Sequence, residues 1–304
     1  MTSDPSQTAQ EPLSTSGVGL AVACYSLWGV TPVYWKGIVS VPALEALTPR
    51  IVWTAILLLL VARLAGRQAE TWQTDRKQLG WTLASALLLS ANWAGFIYAV
   101  QTDQVIATSL GYYINPLASI ILGMLVLGER LTWIQGLAVL IAAAGVVVLT
   151  IQAGTLPWIS LGLASSFALY GLLHKLAPQP PFAGLTREML ILSPLAFLGI
   201  GWLAANGDSR LTEASLGTHA YLSLSSIITA APLLLFHAAT RRLPLIAVGM
   251  FQYIAPTLSL LLAVIVYREP FTPVHAAGFG FVWVGLAIFT FESVLRARGR
   301  VLPV

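Results

Sequence analysis

Charge is what this chain has least of. Asp, Glu, Lys and Arg make up 9% of its 304 residues, while apolar types make up 57%. Soluble domains carry about 25% charged residues, so this balance excludes an ordinary globular protein and defines a polytopic membrane protein. Cysteine is nearly absent. Cys24 alone, inside an apolar stretch, excludes an internal disulfide and leaves no thiolate set for zinc or an iron–sulfur cluster. No metal site and no cofactor are expected. Enzyme signatures are missing too: there is no G-x-S-x-G, no H-E-x-x-H and no Walker loop, and Gly278, Gly280 and Gly285 are spaced wrongly for a dinucleotide fingerprint. Neither an enzyme nor direct ATP coupling within the chain is expected. The formal net charge of +4 comes from basic residues scattered over short connections, which read as topology signals rather than as a nucleic-acid surface.

What is present is a series of long apolar runs. Ten predicted spans cover 17–35, 43–64, 79–100, 105–127, 132–149, 158–174, 182–205, 219–239, 245–267 and 274–294. Residues 1–16 are polar, lack Lys and Arg, and read as a disordered cytoplasmic tail without the basic region of a signal peptide. Residues 296–304 read as a basic cytoplasmic tail. With the amino terminus inside, eleven basic residues fall in cytoplasmic connections (Arg63, Arg67, Arg76, Lys77, Arg130, Lys175, Arg241, Arg242, Arg296, Arg298 and Arg300) and three outside, Lys36, Arg210 and Arg268. Both termini are therefore expected in the cytoplasm.

The two halves repeat. ATSLGYYINPLASIILGMLVLGERLT from Ala107 matches AVGMFQYIAPTLSLLLAVIVYREPFT from Ala247, pairing Tyr113 with Tyr253, Pro116 with Pro256, Glu129 with Glu269 and Thr132 with Thr272. Ser85 meets Ser225 at the same offset. The fold class is thus an all-α membrane protein of ten transmembrane helices in two five-helix repeats, 17–150 and 151–295. Five is odd, so the second copy is inverted. Pro116 and Pro256 fall near mid-span, where each is expected to break its helix and free the carbonyl of Tyr112 or Gln252.

Two basic residues remain inside spans, Arg50 and Arg187, accompanied by Glu45 and Glu188. Inversion sends Arg50 with Glu45 toward the outer face and Arg187 with Glu188 toward the inner one, which suits a pair of alternating gates; the plainer alternative is four first-turn anchors. A polar and small-residue stripe runs down the fourth span (Ser109, Tyr112, Tyr113, Pro116, Ser119, Gly123) and down the ninth (Gly249, Gln252, Tyr253, Pro256, Ser259, Ala263). Helices facing only lipid have no use for it, so it is expected to line a cavity with Asn92 and with Trp28 and Tyr170. His174 and His237 read as helix-end interface residues, and Lys36 and Lys175 as snorkelling anchors. The fifth and tenth spans look peripheral, and their small residues offer a surface for a homodimer.

Leu27-Trp28-Gly29 with Pro32, Glu45 with Arg50 and Trp53, Asn92-Trp93, Ser109-Leu110-Gly111-Tyr112, Ile114-Asn115-Pro116, Leu127-Gly128-Glu129-Arg130 and Phe251-Gln252-Tyr253-Ile254 with Pro256 resemble the drug/metabolite transporter superfamily. The likeness is to two EamA-type repeats and to the RarD subfamily of chloramphenicol-sensitivity permeases, over nearly all the chain after residue 16. It implies a bacterial inner-membrane carrier, working by alternating access, that exports a small organic metabolite or drug. An amino-acid exporter of the same fold is the alternative, and a non-transporting scaffold or lipid scramblase the rival class. One departure is Ala107, where RarD-like sequences carry a glutamate. The expected substrate-binding set is Trp28, Asn92, Trp93, Tyr112, Tyr113, Asn115, Pro116, Tyr170, Gln252, Tyr253 and Pro256, with the solute at mid-bilayer against Tyr113 and Tyr253. The expected partners are that solute and the lipid bilayer.

Overall fold

The computed structural model describes residues 13–36, 41–72, 75–101, 105–153, 158–207, 209–268 and 271–297. They form helices α1 (Thr15–Lys36), α2 (Ala43–Leu64), a short α3 (Gln68–Trp72), α4 (Arg76–Gln101), α5 (Val105–Leu127), α6 (Trp133–Ala153), α7 (Trp158–Leu176), α8 (Pro181–Ala205), α9 (Leu216–Thr240), α10 (Leu245–Gln252), α11 (Ile254–Leu261), which continues into a single π-helical turn (Leu262–Val266), and α12 (Pro273–Ala297). No strand occurs among the described residues. Eight of these stretches are long and apolar enough to cross a membrane, and α5 adds a shorter one, Gly111–Leu127. Outward faces carry Leu64, Leu125, Ile151, Leu198 and Ile265 at 70% exposure or more. Leucine and isoleucine left that bare belong in hydrocarbon rather than in water.

Local chemistry sets the helix ends. Asp75 caps α4 through the Gln78 amide at 2.6 Å, and Ser215 caps α9 through the Thr218 amide at 3.2 Å. At the start of α6 the Thr132 amide donates to Gln135 Oε1 and the Gln135 amide to Thr132 Oγ1, both at 3.1 Å. Thr272 and His275 build the same reciprocal cap on α12. The repeat seen in sequence is therefore a repeat of capping chemistry.

Packing follows an approximate two-fold relation. The related spans pack on each other, α2 on α8, α5 on α10 and α6 on α12, while α4 packs on α7 and α8 as α9 packs on α1 and α2. The ends of α2, α7 and α9 and the starts of α3, α4, α6, α8 and α10 meet on one face. Lys175 Nζ there donates to the Leu243 carbonyl at 2.5 Å, so it ties helix ends together rather than snorkelling. Arg67 pairs with Glu70 on the same face at 2.8 Å, and that hydrogen bond holds the Glu70 carboxyl below its ordinary value. We call this the basic face.

One expectation is corrected. Only the ninth span breaks, at Tyr253 between α10 and α11, whose amide reaches back to the Met250 carbonyl at 3.3 Å; α5 runs unbroken through Pro116. A single proline removes one donor, and α5 is clamped on both sides. Gly111 lies against α7 at Ser160 and Leu163. Gly249 of α10 lies so close that a Cβ there would stand 2.8 Å from the Pro116 carbonyl oxygen. The small residues of the fifth and tenth spans are likewise used inside the chain. A Cβ on Gly285 would meet the Ala138 carbonyl at 2.5 Å and the Ala142 amide at 3.0 Å, and Gly145 backs onto Gly278. That stripe locks α6 to α12.

Candidate functional site

The first polar site is built on Arg50, seven residues into α2. Its Nε donates to Thr229 Oγ1 on α9 at 2.5 Å, and its guanidinium carbon lies 4.6 Å from the ring centroid of Trp93 on α4. Tyr34 and Tyr112 are near enough to interact with the charge. Tyr112 is 51% exposed, its ring tilted toward Phe96 at 6.4 Å. Next to Trp93, Asn92 donates to the Leu163 carbonyl at 2.8 Å and to Ser166 at 2.9 Å, fixing α4 on α7. A cation over an indole face can hold an electronegative group of a flat organic molecule.

The rest of the expected binding set lies elsewhere. Tyr113 is 9% exposed and meets Phe279 of α12 edge-on at 5.1 Å. Tyr253 is fully buried, and its hydroxyl, like Asn115 Oδ1, has no hydrogen-bond partner among the described residues. Gln252 is buried beside it, and Pro256 is partly buried. Trp28 sits in an aromatic layer, edge-on to Phe167 at 5.6 Å and tilted on Phe236 at 5.9 Å. Tyr170 stacks on Phe236 at 5.8 Å. The stripe thus splits: Tyr112 points to the Arg50 site, while Tyr113 and Tyr253 are packed. The side chains of Ser109, Lys36, Glu269 and Ala263, and the residues Arg298 and Arg300, lie outside the described set.

The four charges named as gates each bond between halves. Glu45 Oε2 accepts from the Leu211 amide at 2.7 Å and from Ser209 at 3.2 Å. Arg187 donates to the carbonyls of Thr71 at 2.8 Å and Glu70 at 2.6 Å, and to Gln179 Oε1 at 2.9 Å. Gln179 in turn donates to Thr82 at 2.9 Å. Glu188 Oε1 accepts from Ser85 of α4 at 2.5 Å.

Glu188 also anchors a second polar site. Its Oε1 lies 3.0 Å from His174 Nε2. Its Oε2 accepts from the Tyr170 hydroxyl at 2.9 Å and lies 3.8 Å from His237 Nε2. The Tyr170 hydroxyl and His237 Nε2 are 2.6 Å apart, and the two imidazole centroids are 3.7 Å apart. Both histidines lie in the last turns of their helices, as expected, but the interface reading is corrected: His174 is 6% and His237 2% exposed, because α7, α8 and α9 converge there. A usable signal was present, since Tyr170 and His174 stand four apart on one apolar helix and so share its face.

Helices with bare apolar outer faces, packed as two related halves around interior polar side chains, define a multi-pass all-α membrane protein. Comparison with known proteins sharpens the class. The EamA-like transporter family matches twice, over residues 15–151 and 156–291. The uncharacterized transporter YojE of Bacillus subtilis is 40% identical over 95% of this chain and 98% of its own. Protein RarD of Escherichia coli is 40% identical over 97% and 98%. The chloramphenicol-sensitive protein RarD of Pseudomonas aeruginosa is 29% identical over 95% and 98%. A solved crystal structure shares the fold with a TM-score of 0.73 at 17% identity, covering 92% of this chain and 98% of that one. The chain belongs to the EamA-like transporter family, in its RarD branch, and is a membrane transporter.

Proposed function

We propose that this transporter is a secondary carrier of the bacterial inner membrane that exports a small, flat organic solute by alternating access. The solute site is bounded by Arg50, Trp93, Tyr112 and Thr229. The observation that carries this reading is an arginine within a membrane span, laid over an indole and held by a threonine hydroxyl from the other half of the chain. A charge at that depth is expensive enough to mark function, and a contact between the halves moves when they rock. With Arg50 in the site, the solute carries an electronegative or anionic group. The same cation suits the carboxylate of an amino acid, which keeps an amino-acid exporter as the second reading.

We assign the basic face to the cytoplasm, with both termini there, because Lys and Arg are retained on that side. The chain then crosses ten times, α4 and α5 included, in two repeats of five. A thermal-shift screen of purified protein tests the reading, with chloramphenicol as the first probe because a relative bears its name, followed by aromatic and aliphatic amino acids. A solute that raises the melting temperature of the wild type and not of Arg50→Ala, and that exchanges across proteoliposomes, supports it. If no member of the panel binds, or binding is indifferent to Arg50→Ala, this site assignment is wrong.

A further inference from the structure

The Glu188 cluster is built to hold one exchangeable proton. Glu188 is completely buried, and a lone carboxylate in a dry pocket is costly unless a positive charge balances it. The hydroxyls of Ser85 and Tyr170 donate to it but leave its charge in place. A proton on His174 does balance it electrostatically, since Nε2 lies 3.0 Å from Oε1, although the two atoms are not aligned as a hydrogen bond. Two protonated imidazoles cannot coexist at a centroid separation of 3.7 Å, since like charges that close exclude one another. Tyr170 has a single hydroxyl hydrogen and touches both Glu188 Oε2 and His237 Nε2. It links the second imidazole to the same carboxylate.

The cluster also lies where a proton would matter. Ser85 belongs to the first half and Glu188, His174, His237 and Tyr170 to the second, directly beside the Thr82–Gln179 and Arg187 contacts that close the basic face. Glu45, which plays the bridging part on the opposite face, accepts from a backbone amide and a serine instead. Among the described residues, only the carboxylate near the basic face is paired with buried imidazoles.

We propose, building on the carrier reading above, that Glu188, His174, His237 and Tyr170 form the proton-coupling site and that its occupancy controls opening of the basic face. On loading, a hydronium ion from that side gives its proton to an imidazole nitrogen, forming N–H and leaving water, and the neutralised cluster seals. Loss of the proton to water leaves a buried net negative charge, which is relieved when the halves part and water reaches Glu188. Other ionisable groups on the surrounding elements are Cys24 and Tyr25 of α1, Arg50 and Arg63 of α2, Arg67 and Glu70 near α3, and Arg76 and Lys77 of α4. So are Tyr34 of α1, Glu45 of α2, Asp75 before α4 and Tyr98 within it, Tyr112 and Tyr113 of α5, Glu129 and Arg130 before α6, Lys175 of α7, Arg187 of α8, His219 and Tyr221 of α9, Arg241 and Arg242 after α9, and Tyr253 after α10. None of these lies within hydrogen-bond reach of Glu188 in the contacts above. His174, Glu188 and His237 also have the composition of a metal site, with ligand atoms within 4.8 Å of one another. Yet both carboxylate oxygens already accept hydroxyl hydrogens, and the imidazoles are only 32° from parallel, so their in-plane lone pairs run alongside each other instead of converging.

The test uses full-length protein in lipid nanodiscs with 15N-labelled histidine, and assigns the four histidines by single His→Gln replacements. In the wild type, His174 and His237 should take up one proton between them as pH falls. In Glu188→Gln both should stay neutral over the same range, and in Tyr170→Phe, which keeps the ring, only His174 should respond. Independent titration of both rings, or no change in Glu188→Gln, overturns the proposal. So does equimolar zinc displacing both resonances at neutral pH, which would make the cluster a metal site.

A second reading follows the latch. In a Cys24→Ala background, labelling of Ala86→Cys, a fully buried position beside Ser85, is compared with exposed Lys77→Cys to cancel the thiol's own ionisation. The ratio should rise several-fold with pH and become flat in Glu188→Gln; a flat wild-type ratio overturns the coupling. Neither measurement needs a solute. Failure here with solute exchange intact removes proton coupling alone, and failure of exchange with titration intact removes the carrier reading and leaves a proton-controlled latch without a transported solute.

Discussion

Arg268 stands with φ at +54° in the position that Gly128 occupies, at +66°, in the first half. The two residues are 140 apart, the offset of the whole repeat. The same left-handed turn therefore ends the fourth and the ninth spans. Glycine adopts it without cost, whereas an L side chain there loses roughly 1–2 kcal/mol to the clash of Cβ with the next carbonyl. Arg268→Gly should stabilise the protein by about 1 kcal/mol, and Gly128→Ala should destabilise it by a similar amount. Thermal unfolding in detergent reads both. A lower melting point for Arg268→Gly would mean that the arginine side chain makes a contact worth more than the strain.

The turn at Gly128 has a purpose visible in the next residue. Glu129 Oε1 accepts from the Leu245 amide at 2.7 Å and Oε2 from the Ile246 amide at 2.8 Å, satisfying two of the donors that the start of α10 leaves open. Gly123 makes room, since a Cβ there would stand 2.7 Å from Glu129 Oε2. Glu129→Ala should cost about 0.5–2 kcal/mol, as loss of a helix cap does, and hydrogen exchange should speed up first at the amides of Leu245 and Ile246. Uniform acceleration across all helices would argue instead for global destabilisation.

Much of this was legible in the sequence, and for identifiable reasons. Span positions follow from apolar run length, and α2 and α5 fall at the residues that hydropathy marks. The repeat was carried by motifs whose roles are now physical: Gly128 turns the chain, Glu129 caps α10, Thr132 caps α6. What could not be read was which face of a helix looks inward. Tyr112 and Tyr113 are adjacent, and a helical step of about 100° sends one to the Arg50 site and the other against Phe279. Nor could the partner of the histidines be read, although spacing puts Tyr170 and His174 on one face. Hydropathy treats His174 and His237 as span ends, and only the convergence of α7, α8 and α9 reveals that they share one carboxylate.

Gly249 offers a clean test of the crossing between α5 and α10. Its missing Cβ would stand 2.8 Å from a backbone oxygen, that of Pro116, which cannot swing aside as a side chain would. Gly249→Ala should therefore destabilise by about 1–3 kcal/mol, the usual range for overpacking. Gly280 is the control: nothing lies within 4 Å of its Cβ position, so Gly280→Ala should be neutral or gain about 0.5–1 kcal/mol from helix propensity. Equal effects from the two would show that the tight crossing is relieved by movement of whole helices.

Orientation can be checked without a substrate. The basic face gathers Arg67, Lys175 and the start of α6, and retained positive charge marks the cytoplasmic side. Reporter fusions after Ala153 and after Arg300 should report opposite sides, with Arg300 inside. Placement of Arg300 outside would reverse the sidedness of both polar sites while leaving their geometry intact.

The Arg50 site makes the sharpest demand on function. If the guanidinium over Trp93 holds the solute, then charge alone is insufficient, because a planar fork stacked on an indole is not replaced by a compact ammonium. Arg50→Lys should weaken binding of the first solute that passes the thermal-shift screen, and Arg50→Ala or Trp93→Ala should weaken it by about 1–3 kcal/mol, a loss of roughly five- to 150-fold in affinity. Tyr253→Phe provides the contrast. Its hydroxyl is buried without a hydrogen-bond partner among the described residues, so removing the oxygen relieves an unsatisfied polar group. That variant should bind as the wild type does and melt at the same temperature or higher. Calorimetry on the four variants decides between the two tyrosine-centred and arginine-centred sites: a loss of affinity in Tyr253→Phe with none in Arg50→Ala would move the solute to the break between α10 and α11.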